Sequence, residues 1–231
     1  MTPAGTPAGP GSAIVTGGGR GIGAAVARAL TARGVKVTVF ARSQAQLEAV
    51  VASGWAALAV AGDVRREEDV ARVVALHERA LGPVEVLVND AGILARGPVE
   101  ALSAATFREV LDVNLVGAFL CARAVVPGMK ARCRGRIVNV ASISGTLGTP
   151  DASPYNASKW GLIGLTKCLA EELRSHGVQC LAVSPGSTDT ELLARTPFPP
   201  QMEPDDVARV IVFAALDAPA AMTGSNLEVF G

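Results

Sequence analysis

The chain has 231 residues, of which 49% are hydrophobic and 18% are charged, with equal numbers of basic and acidic side chains. This size and composition predict a single compact domain. A net charge of zero gives no electrostatic footprint for nucleic acid or an anionic membrane, so a small-molecule substrate is favoured over either partner.

The N-terminal segment, residues 1–11, is rich in proline, glycine, alanine and threonine. It lacks the charged and apolar regions of a signal peptide, and no later stretch reaches the ~18 apolar residues of a membrane span. We therefore expect a flexible tail, a cytoplasmic location and no membrane contact, with one domain over residues 12–231.

From residue 13 onward, short apolar runs rich in β-branched residues alternate with longer segments of helical periodicity. The alternation predicts an α/β fold: a single doubly wound, Rossmann-type domain with helices on both faces of a seven-stranded parallel sheet. The predicted strands are 13–16, 36–40, 56–60, 84–88, 136–140, 179–183 and 227–229. The predicted helices are 22–33, 44–52, 67–80, 104–129, 153–175 and 205–216. Ser43 with Gln46 predicts a capping box, and Pro204 predicts a first-turn position.

A glycine-rich turn, TGGGRGIG over residues 16–23, joins the first strand to the first helix. Glycines allow a tight turn and let backbone N–H groups approach a pyrophosphate, while the helix N-terminus adds partial positive charge. Because the turn lies between a strand and a helix, it predicts a dinucleotide-binding site rather than an ordinary loop.

The only tyrosine of the chain, Tyr155, is followed four residues later by Lys159. Residues four apart share a face of a helix, so the ammonium group is expected near the phenol. A phenol ionises near pH ~10, and a fixed positive charge favours the phenolate. The pair is therefore predicted to act as a proton donor.

The cysteines and histidines do not predict a metal site. The four cysteines show no CxxC spacing and are expected to be reduced, partly buried packing residues: Cys121, Cys133, Cys168 and Cys180. His77 and His176 stand far apart in polar, helix-end surroundings without ligand-type neighbours.

Further short motifs follow the strands in chain order. They are Asp63-Val64, Asn89-Asp90-Ala91-Gly92, Asn114, Ser142 and Pro185-Gly186. Together with the glycine-rich turn and the Tyr155–Lys159 pair, they resemble the short-chain dehydrogenase/reductase family in order and spacing. The resemblance extends from about residue 12 to the end of the chain.

The resemblance implies a catalytic set of Asn114, Ser142, Tyr155 and Lys159. Tyr155 would protonate the carbonyl oxygen as hydride arrives, and Ser142 would hydrogen-bond that oxygen. Lys159 would hold the nicotinamide ribose, and Asn114 would hold a water that links Lys159 to solvent.

The resemblance also implies a set of cofactor contacts. The turn would hold the pyrophosphate, Asp63 the adenine, and the segment after the sixth strand the carboxamide. The set is Gly17, Gly19, Arg20, Gly21, Ile22, Gly23, Arg42, Ser43, Asp63, Val64, Asn89, Ala91, Gly92, Tyr155, Lys159, Pro185, Gly186, Thr188 and Thr190. Asp90 departs from the family's second asparagine, and we expect it to affect local support more than chemistry.

The end of the second strand predicts the cofactor preference. Ala41 occupies the position where an acidic residue would accept a hydrogen bond from the ribose 2′-OH of NAD. Arg42 follows it, and Arg42, Arg20 and Ser43 together would bracket a 2′-phosphate. The sequence therefore predicts NADP(H) in preference to NAD(H).

The family's substrate lid is reduced here to residues 191–203, which include three prolines. A short, stiff lid predicts a pocket open to bulky or varied carbonyl compounds. Its expected apolar lining is Leu147, Leu192, Leu193 and Phe198.

Three functions are compatible with these motifs. The first is NADPH-dependent reduction of a ketone or aldehyde, with a 3-oxoacyl thioester among the candidates. The second is an NAD(P)-dependent alcohol or sugar dehydrogenase working in the oxidative direction, and the third is a non-catalytic dinucleotide sensor.

Two partners besides the carbonyl or alcohol substrate are considered. The resemblance suggests a homotetramer or homodimer formed by helices 104–129 and 153–175, whose apolar residues exceed one stripe: Leu162, Ile163, Leu165 and Leu169. A basic cluster would either meet an acyl carrier protein or form a solvated loop: Lys130, Arg132, Arg134 and Arg136.

Overall fold

The computed structural model describes residues 11–231, so the predicted tail lies outside the described residues except for Gly11. The strands are β1 (Ser12–Thr16), β2 (Lys36–Ala41), β3 (Leu58–Ala61), β4 (Val86–Asn89), β5 (Gly135–Val140), β6 (Val178–Pro185) and β7 (Asn226–Val229). They form one sheet in the order β3-β2-β1-β4-β5-β6-β7, and every pairing is parallel. The predicted seven-stranded parallel sheet is confirmed.

The helices are α1 (Gly21–Ala32), α2 (Gln44–Ala52), α3 (Glu67–Leu81), α4 (Ala104–Leu111), α5 (Gly117–Ala131), α6 (Ser153–Leu173) and α7 (Pro204–Val212). A π-helical turn, Asp112–Val116, joins α4 to α5, so the long helix predicted there is continuous. A second π-helical segment, Phe213–Asp217, extends α7. All six predicted helices are present, with ends shifted by one or two residues.

Two hydrophobic layers enclose the sheet because successive strand residues point to opposite faces. In β4, Val86 and Val88 pack into one layer and Leu87 packs into the other. Helix α1 packs against α7, and α3 packs against α5. The helices therefore cover both faces and leave the carboxyl ends of the strands at an open edge.

The helix ends follow the sequence signals in part. Ser43 Oγ accepts a hydrogen bond from Gln46 N at 3.4 Å, which is one half of the predicted capping box. A reciprocal capping box forms instead at α7, between Glu203 and Asp206, with Pro204 in the first turn as predicted.

The surroundings predicted for His77 are wrong. Its side chain is fully buried, with Nδ1 2.8 Å from Thr38 Oγ1 and Nε2 2.8 Å from Ser12 Oγ. The helical face of α3 that turns toward β1 and β2 carries this histidine, so it is a core residue rather than a helix-end residue. No group of metal-ligating side chains occurs within residues 11–231.

The four cysteines are all free thiols, as expected, but they divide into two pairs. Cys121 and Cys180 are buried, whereas Cys133 and Cys168 are exposed. Burial raises the pKa of the Cys121 and Cys180 thiols to about 12, so these two are unreactive packing residues.

All four residues of the predicted basic cluster make contacts within the domain, and two of them form ion pairs. Lys130 pairs with Glu172 at 3.3 Å, and Arg134 pairs with Glu85 at 3.1 Å. Arg132 donates to Val84 O, and Arg136 donates to the carbonyl oxygens of Ala214 and Ala218. These contacts tie the cluster to its own domain.

Two expectations about the long helices need correction. Leu162 and Ile163 of α6 are buried in the core, so they do not contribute to an exposed second stripe. The α4–α5 helix, Ala104–Ala131, is by length and composition able to cross a membrane, although no such stretch was expected. Half of its apolar window is buried inside the domain.

Candidate active site

The strand order reverses between β1 and β4, and a ligand site is expected there at the carboxyl ends of the strands. A cavity of about 1230 Å³ follows this edge. It is lined by the glycine-rich turn, the end of β2, the loops after β3 and β4, Tyr155 and Lys159 of α6, and the segment after β6. Residues distant in sequence are therefore brought to one cleft.

The glycine-rich turn is packed too tightly for side chains at two positions. Gly17 has φ +69°, and a Cβ there would lie 2.9 Å from Ala91 N. A Cβ at Gly23 would lie 2.5 Å from Gly17 O. The backbone can therefore reach a bound pyrophosphate at the start of α1, and this part of the cleft fits a dinucleotide.

Thr16, for which the sequence predicted no role of its own, fixes the glycine-rich turn to the loop after β4. Its Oγ1 accepts hydrogen bonds from Asp90 N and Ala91 N, both at 3.1 Å. Its position at the start of the glycine-rich turn was the available signal. Thr16 therefore joins the two loops that form the floor of the cleft.

Asp90 lies between the glycine-rich turn and the Tyr155–Lys159 pair. A Cβ at Gly23 would lie 2.8 Å from Asp90 Oδ2, so the carboxyl group adjoins the N-terminal turn of α1. Burial raises the pKa of Asp90, while Lys159 and the Gly23 backbone N–H oppose the rise. Asp90 is thus electrostatically linked to Lys159.

Asn114 is held rigidly in the π-helical turn between α4 and α5. Its Oδ1 accepts from Ile93 N at 2.8 Å, and its Nδ2 donates to Ile93 O and to Ser158 Oγ, both at 3.0 Å. Its side chain therefore clamps the loop after β4 to α6. The water predicted beside Asn114 stays a prediction.

Lys159 is buried, and its ammonium Nζ lies 5.6 Å from the centroid of the Tyr155 ring, as the spacing of four residues predicted. Lys159 Nζ donates to Val140 O at 2.7 Å. Burial lowers the pKa of Lys159, and the charge of Asp90 opposes the change. The carbonyl oxygen of Val140, at the end of β5, therefore holds the Lys159 ammonium group beside the Tyr155 ring.

Burial raises the pKa of Tyr155 to about 12, Ser142 lowers it, and Asp90 raises it further. The phenol is therefore protonated at neutral pH. Ser142 begins the turn after β5, where its Oγ accepts from Ser144 N at 3.1 Å. Its side chain lines the same cavity as the phenol.

The adenosine end of the cleft holds Arg42, Ser43 and Asp63. Asp63 is engaged by Arg65, which approaches its carboxylate at 2.6 Å and holds the pKa of Asp63 below its usual value. Within residues 11–231, no carboxylate forms an ion pair with Arg42. Arg42 is therefore available to a ligand, whereas Asp63 already has a partner.

Arg20 differs from the sequence prediction. It forms an ion pair with Glu191, which begins the lid segment, so it is not free to bracket a phosphate. Thr190 is adjacent, because a Cβ at Gly21 would lie 3.3 Å from Thr190 Cγ2. The glycine-rich turn and the lid are thus in direct contact.

The lid is tied at its base. Thr188 and Met202 form a parallel bridge, Asp189 N donates to Met202 O at 2.8 Å, and Gln201 N donates to Ser187 O at 2.8 Å. Leu192, Leu193 and Phe198 line the cavity as predicted. Leu147 does not line it and is 55% exposed, so its expected role in the pocket is wrong.

Most of the residues predicted to bind or react line the cavity, but three lie behind its surface: Gly23, Asn89 and Asn114. Asn89 is buried and donates to Asn139 Oδ1 at 2.9 Å, so it supports the ends of β4 and β5 from within. Pro185, Gly186, Thr188 and Thr190 line the cavity, as expected for the segment after β6.

Known proteins are similar to this chain in sequence. The family model described as short chain dehydrogenase matches residues 12–198. A 3-oxoacyl-[acyl-carrier-protein] reductase of Synechocystis sp. is 38% identical, with 95% of each chain covered. An acetoacetyl-CoA reductase of Shinella zoogloeoides is 35% identical, covering 95% of this chain and 96% of its own.

A similar solved structure extends the comparison to three dimensions. It is a 3-ketoacyl-(acyl-carrier-protein) reductase from Brucella melitensis complexed with NADH. It superimposes with a TM-score of 0.90 at 31% identity and covers 96% of both chains.

Proposed function

This chain belongs to the short-chain dehydrogenase family, and we propose that it is an NADPH-dependent reductase of ketones or aldehydes, including 3-oxo thioesters. The observation that carries the proposal is that Tyr155 and the buried Lys159 line the same cavity as Ser142 and the glycine-rich turn. The names of similar proteins, which act on 3-oxoacyl and acetoacetyl thioesters, support this substrate class.

The catalytic residues divide the work of reduction. A nicotinamide dinucleotide, when bound, supplies the hydride. Tyr155 donates its proton to the carbonyl oxygen, and a pKa of about 12 keeps that proton in place at neutral pH. Ser142 donates a hydrogen bond to the same oxygen, which places the carbonyl beside the phenol. Lys159 steadies the negative charge left on Tyr155.

The preference for NADPH rests on Arg42. It lines the cavity immediately after β2, follows Ala41 rather than an acidic residue, and has no carboxylate partner within residues 11–231. A guanidinium group binds phosphate with charge-assisted hydrogen bonds. Ser43 is adjacent, but its hydroxyl already caps α2.

Replacing Arg42 with Asp is expected to reverse the cofactor preference. Loss of the guanidinium and repulsion by the new carboxylate should lower the NADPH/NADH ratio of kcat/KM by roughly 100-fold, or ~2.7 kcal/mol. Arg66→Asp is the matched control, because Arg66 is exposed and does not line the cavity. An unchanged ratio in Arg42→Asp, or an NADH preference in the parent enzyme, would contradict this assignment.

A panel of ketones, aldehydes and acetoacetyl-CoA tests the function itself. With the purified protein, NADPH absorbance should fall at neutral pH, and faster than NADP⁺ is reduced with the corresponding alcohols. Faster alcohol oxidation would favour the oxidative dehydrogenase. Binding of NADPH without turnover of any compound would favour a dinucleotide sensor.

The proposed enzyme also has an expected location, assembly and protein partner. We place the enzyme in the cytoplasm, as a homotetramer or homodimer built through the α4–α5 and α6 helices. An acyl carrier protein is a further candidate, although Lys130 and Arg134 of the basic cluster already pair with carboxylates of this chain.

A further inference from the structure

Four arginines within residues 11–231 line the cavity, and their partners differ. Arg20 pairs with Glu191, and Arg28 pairs with Asp205. Arg42 lies at the adenosine end. Arg96 lies in the loop after β4, and no carboxylate within the described residues forms an ion pair with it. We propose that Arg96 binds an anionic group of the substrate, which makes the substrate an oxo acid with an apolar body.

The position of Arg96 is fixed by three segments of the catalytic half of the cleft. Its Nη2 donates to Pro150 O at 3.0 Å, in the loop that leads to Tyr155. The next residue, Gly97, donates its N–H to Asp151 O at 2.8 Å. On the other side, the guanidinium lies 5.8 Å from the ring centroid of Phe198 in the lid. Arg96 therefore lies where the loop after β4, the loop that leads to Tyr155 and the lid meet.

The loop that carries Arg96 is also anchored to the catalytic residues. Asn114 holds both backbone groups of Ile93, three residues before Arg96. This clamp fixes the loop relative to α6, the helix that carries Tyr155 and Lys159. A substrate held by Arg96 at one end and by Tyr155 at the other would therefore have a set orientation.

The chemistry of the surroundings identifies the ligand class. Besides Arg96, the cavity is lined by apolar side chains of the loop after β4 and of the lid, namely Ile93, Leu94, Leu193 and Phe198. A guanidinium carries five N–H donors, and Pro150 O accepts from only one of its nitrogens. The remaining N–H groups of Arg96 can donate charge-assisted hydrogen bonds to a carboxylate. The nearby Asp151 is connected through its backbone carbonyl and not through its carboxylate.

The inference rests on the proposed function, since it names the substrate class of the same site, and the test separates the two. The probes are ω-oxo acids with one to six methylene groups between carbonyl and carboxylate, each beside its methyl ester. NADPH oxidation is measured with the parent enzyme, Arg96→Met, Arg96→Lys and Arg195→Met. Arg195 is the matched control, because it is an exposed arginine of the lid that does not line the cavity.

For at least one spacing, kcat/KM for the acid should exceed that for its ester by tenfold or more in the parent enzyme. Arg96→Met should abolish this ratio with less than threefold effect on the ester, Arg96→Lys should keep part of it, and Arg195→Met should keep all of it. An acid/ester ratio that is the same in parent and Arg96→Met overturns the inference. An equal loss for acid and ester also overturns it, since it assigns Arg96 a purely structural role.

Binding provides a readout that does not depend on turnover. Calorimetric titration compares cyclohexanecarboxylate with cyclohexanecarboxamide in the presence of NADP⁺. The carboxylate should bind at least tenfold tighter than the amide in the parent enzyme and lose this advantage in Arg96→Met. Equal affinities in the parent enzyme overturn the inference. If no carbonyl compound is reduced while the carboxylate preference is present, the proposed function fails and the anion site stands.

Discussion

Tyr155 and Lys159 have opposite responses to the same burial. Burial raises the pKa of the phenol to about 12 and lowers the pKa of the ammonium, because in each case it disfavours the charged form. The phenol is therefore protonated at neutral pH, as its proposed role of proton donor requires. In that proposal the Lys159 ammonium group, which donates to Val140 O, provides the counter-charge for the phenolate.

Replacing Tyr155 with Phe keeps the ring and removes the proton donor. Because a positioned general acid contributes about 10²–10⁴-fold, kcat for carbonyl reduction should fall by about that factor. NADPH affinity, measured by fluorescence titration, should change less than threefold. Asn114→Ala, which removes a clamp rather than the acid, should cost less. Parent-level turnover in Tyr155→Phe would refute the assignment.

Asp90 should make cofactor affinity depend on pH. The carboxyl group adjoins the N-terminal turn of α1, so its ionisation places a negative charge near the expected pyrophosphate. Burial raises the pKa of Asp90, and the negative form therefore appears only as the pH rises through that shifted value. The dissociation constant of NADPH should increase across the same interval.

Asp90→Asn should remove this pH dependence and bind NADPH about tenfold more tightly at the alkaline end, or ~1.4 kcal/mol. The ionisation of the cofactor's own phosphate affects both proteins equally, so its contribution cancels in the ratio of the parent and variant dissociation constants. Asp151→Asn, an exposed change in the loop before α6, is the control and should follow the parent. Parallel pH profiles for the parent and Asp90→Asn would exclude the carboxyl group as the cause.

Single residues were predictable where a short spacing carried the signal. Tyr155 and Lys159 are one helical turn apart, and Gly17 to Gly23 form one turn of backbone, so sequence alone could place them. Arg96 and Thr16 act through contacts with residues more than fifty positions away, which no local pattern encodes. The pairing of Arg20 with Glu191 was missed for the same reason, since 171 positions separate the two residues.

At the scale of elements, a helix can be predicted without its internal irregularity. The segment from Ala104 to Ala131 is continuous, as its periodicity indicated, but Asp112–Val116 is π-helical. This turn carries Asn114 and presents it to both Ile93 and Ser158. These contacts join residues far apart in the chain, and hydrophobic periodicity does not report them.

His77 connects three elements. Ser12 Oγ of β1 donates to Pro83 O at 2.6 Å, so it accepts from His77 Nε2, and His77 Nδ1 accepts from Thr38 of β2. The neutral imidazole therefore satisfies both neighbours. Burial lowers the pKa of His77 to about 4, below the ~6.5 expected in an unfolded chain.

The fold should consequently lose stability in acid. Between about pH 6.5 and pH 4 the unfolded chain binds a proton that the folded His77 does not, so the free energy of unfolding falls as the pH decreases. The loss attributable to His77 is up to about 3 kcal/mol. Urea unfolding at a series of pH values should show this slope, and His77→Gln, although less stable at neutral pH, should flatten it. A steep profile in His77→Gln would locate the acid sensitivity elsewhere.

At the scale of the whole molecule, the parallel sheet follows from alternation of strands and helices, and all seven strands were predictable. Strands β3 and β4 begin two residues later than predicted because apolar residues before them, such as Ala56 and Val84, are buried without pairing as strand residues. Which helical residues face solvent was harder to foresee. Leu162 and Ile163 continue an apolar pattern into the core, whereas Trp160 beside them is 54% exposed.

The exposed apolar residues of α4, α5 and α6 lead to a prediction about assembly. Phe107, Phe119 and Trp160 are 36%, 42% and 54% exposed, and α4 packs against α6. An apolar surface of this kind favours association with a second copy, as expected for a homodimer or homotetramer.

Trp160→Glu places a charge in that surface and should lower the mass measured by size-exclusion chromatography with light scattering by at least half. Val99→Glu changes an isolated loop residue that is 77% exposed and should leave the mass unchanged. If Trp160→Glu keeps the parent mass, or if the parent is a monomer, these helices do not form the interface.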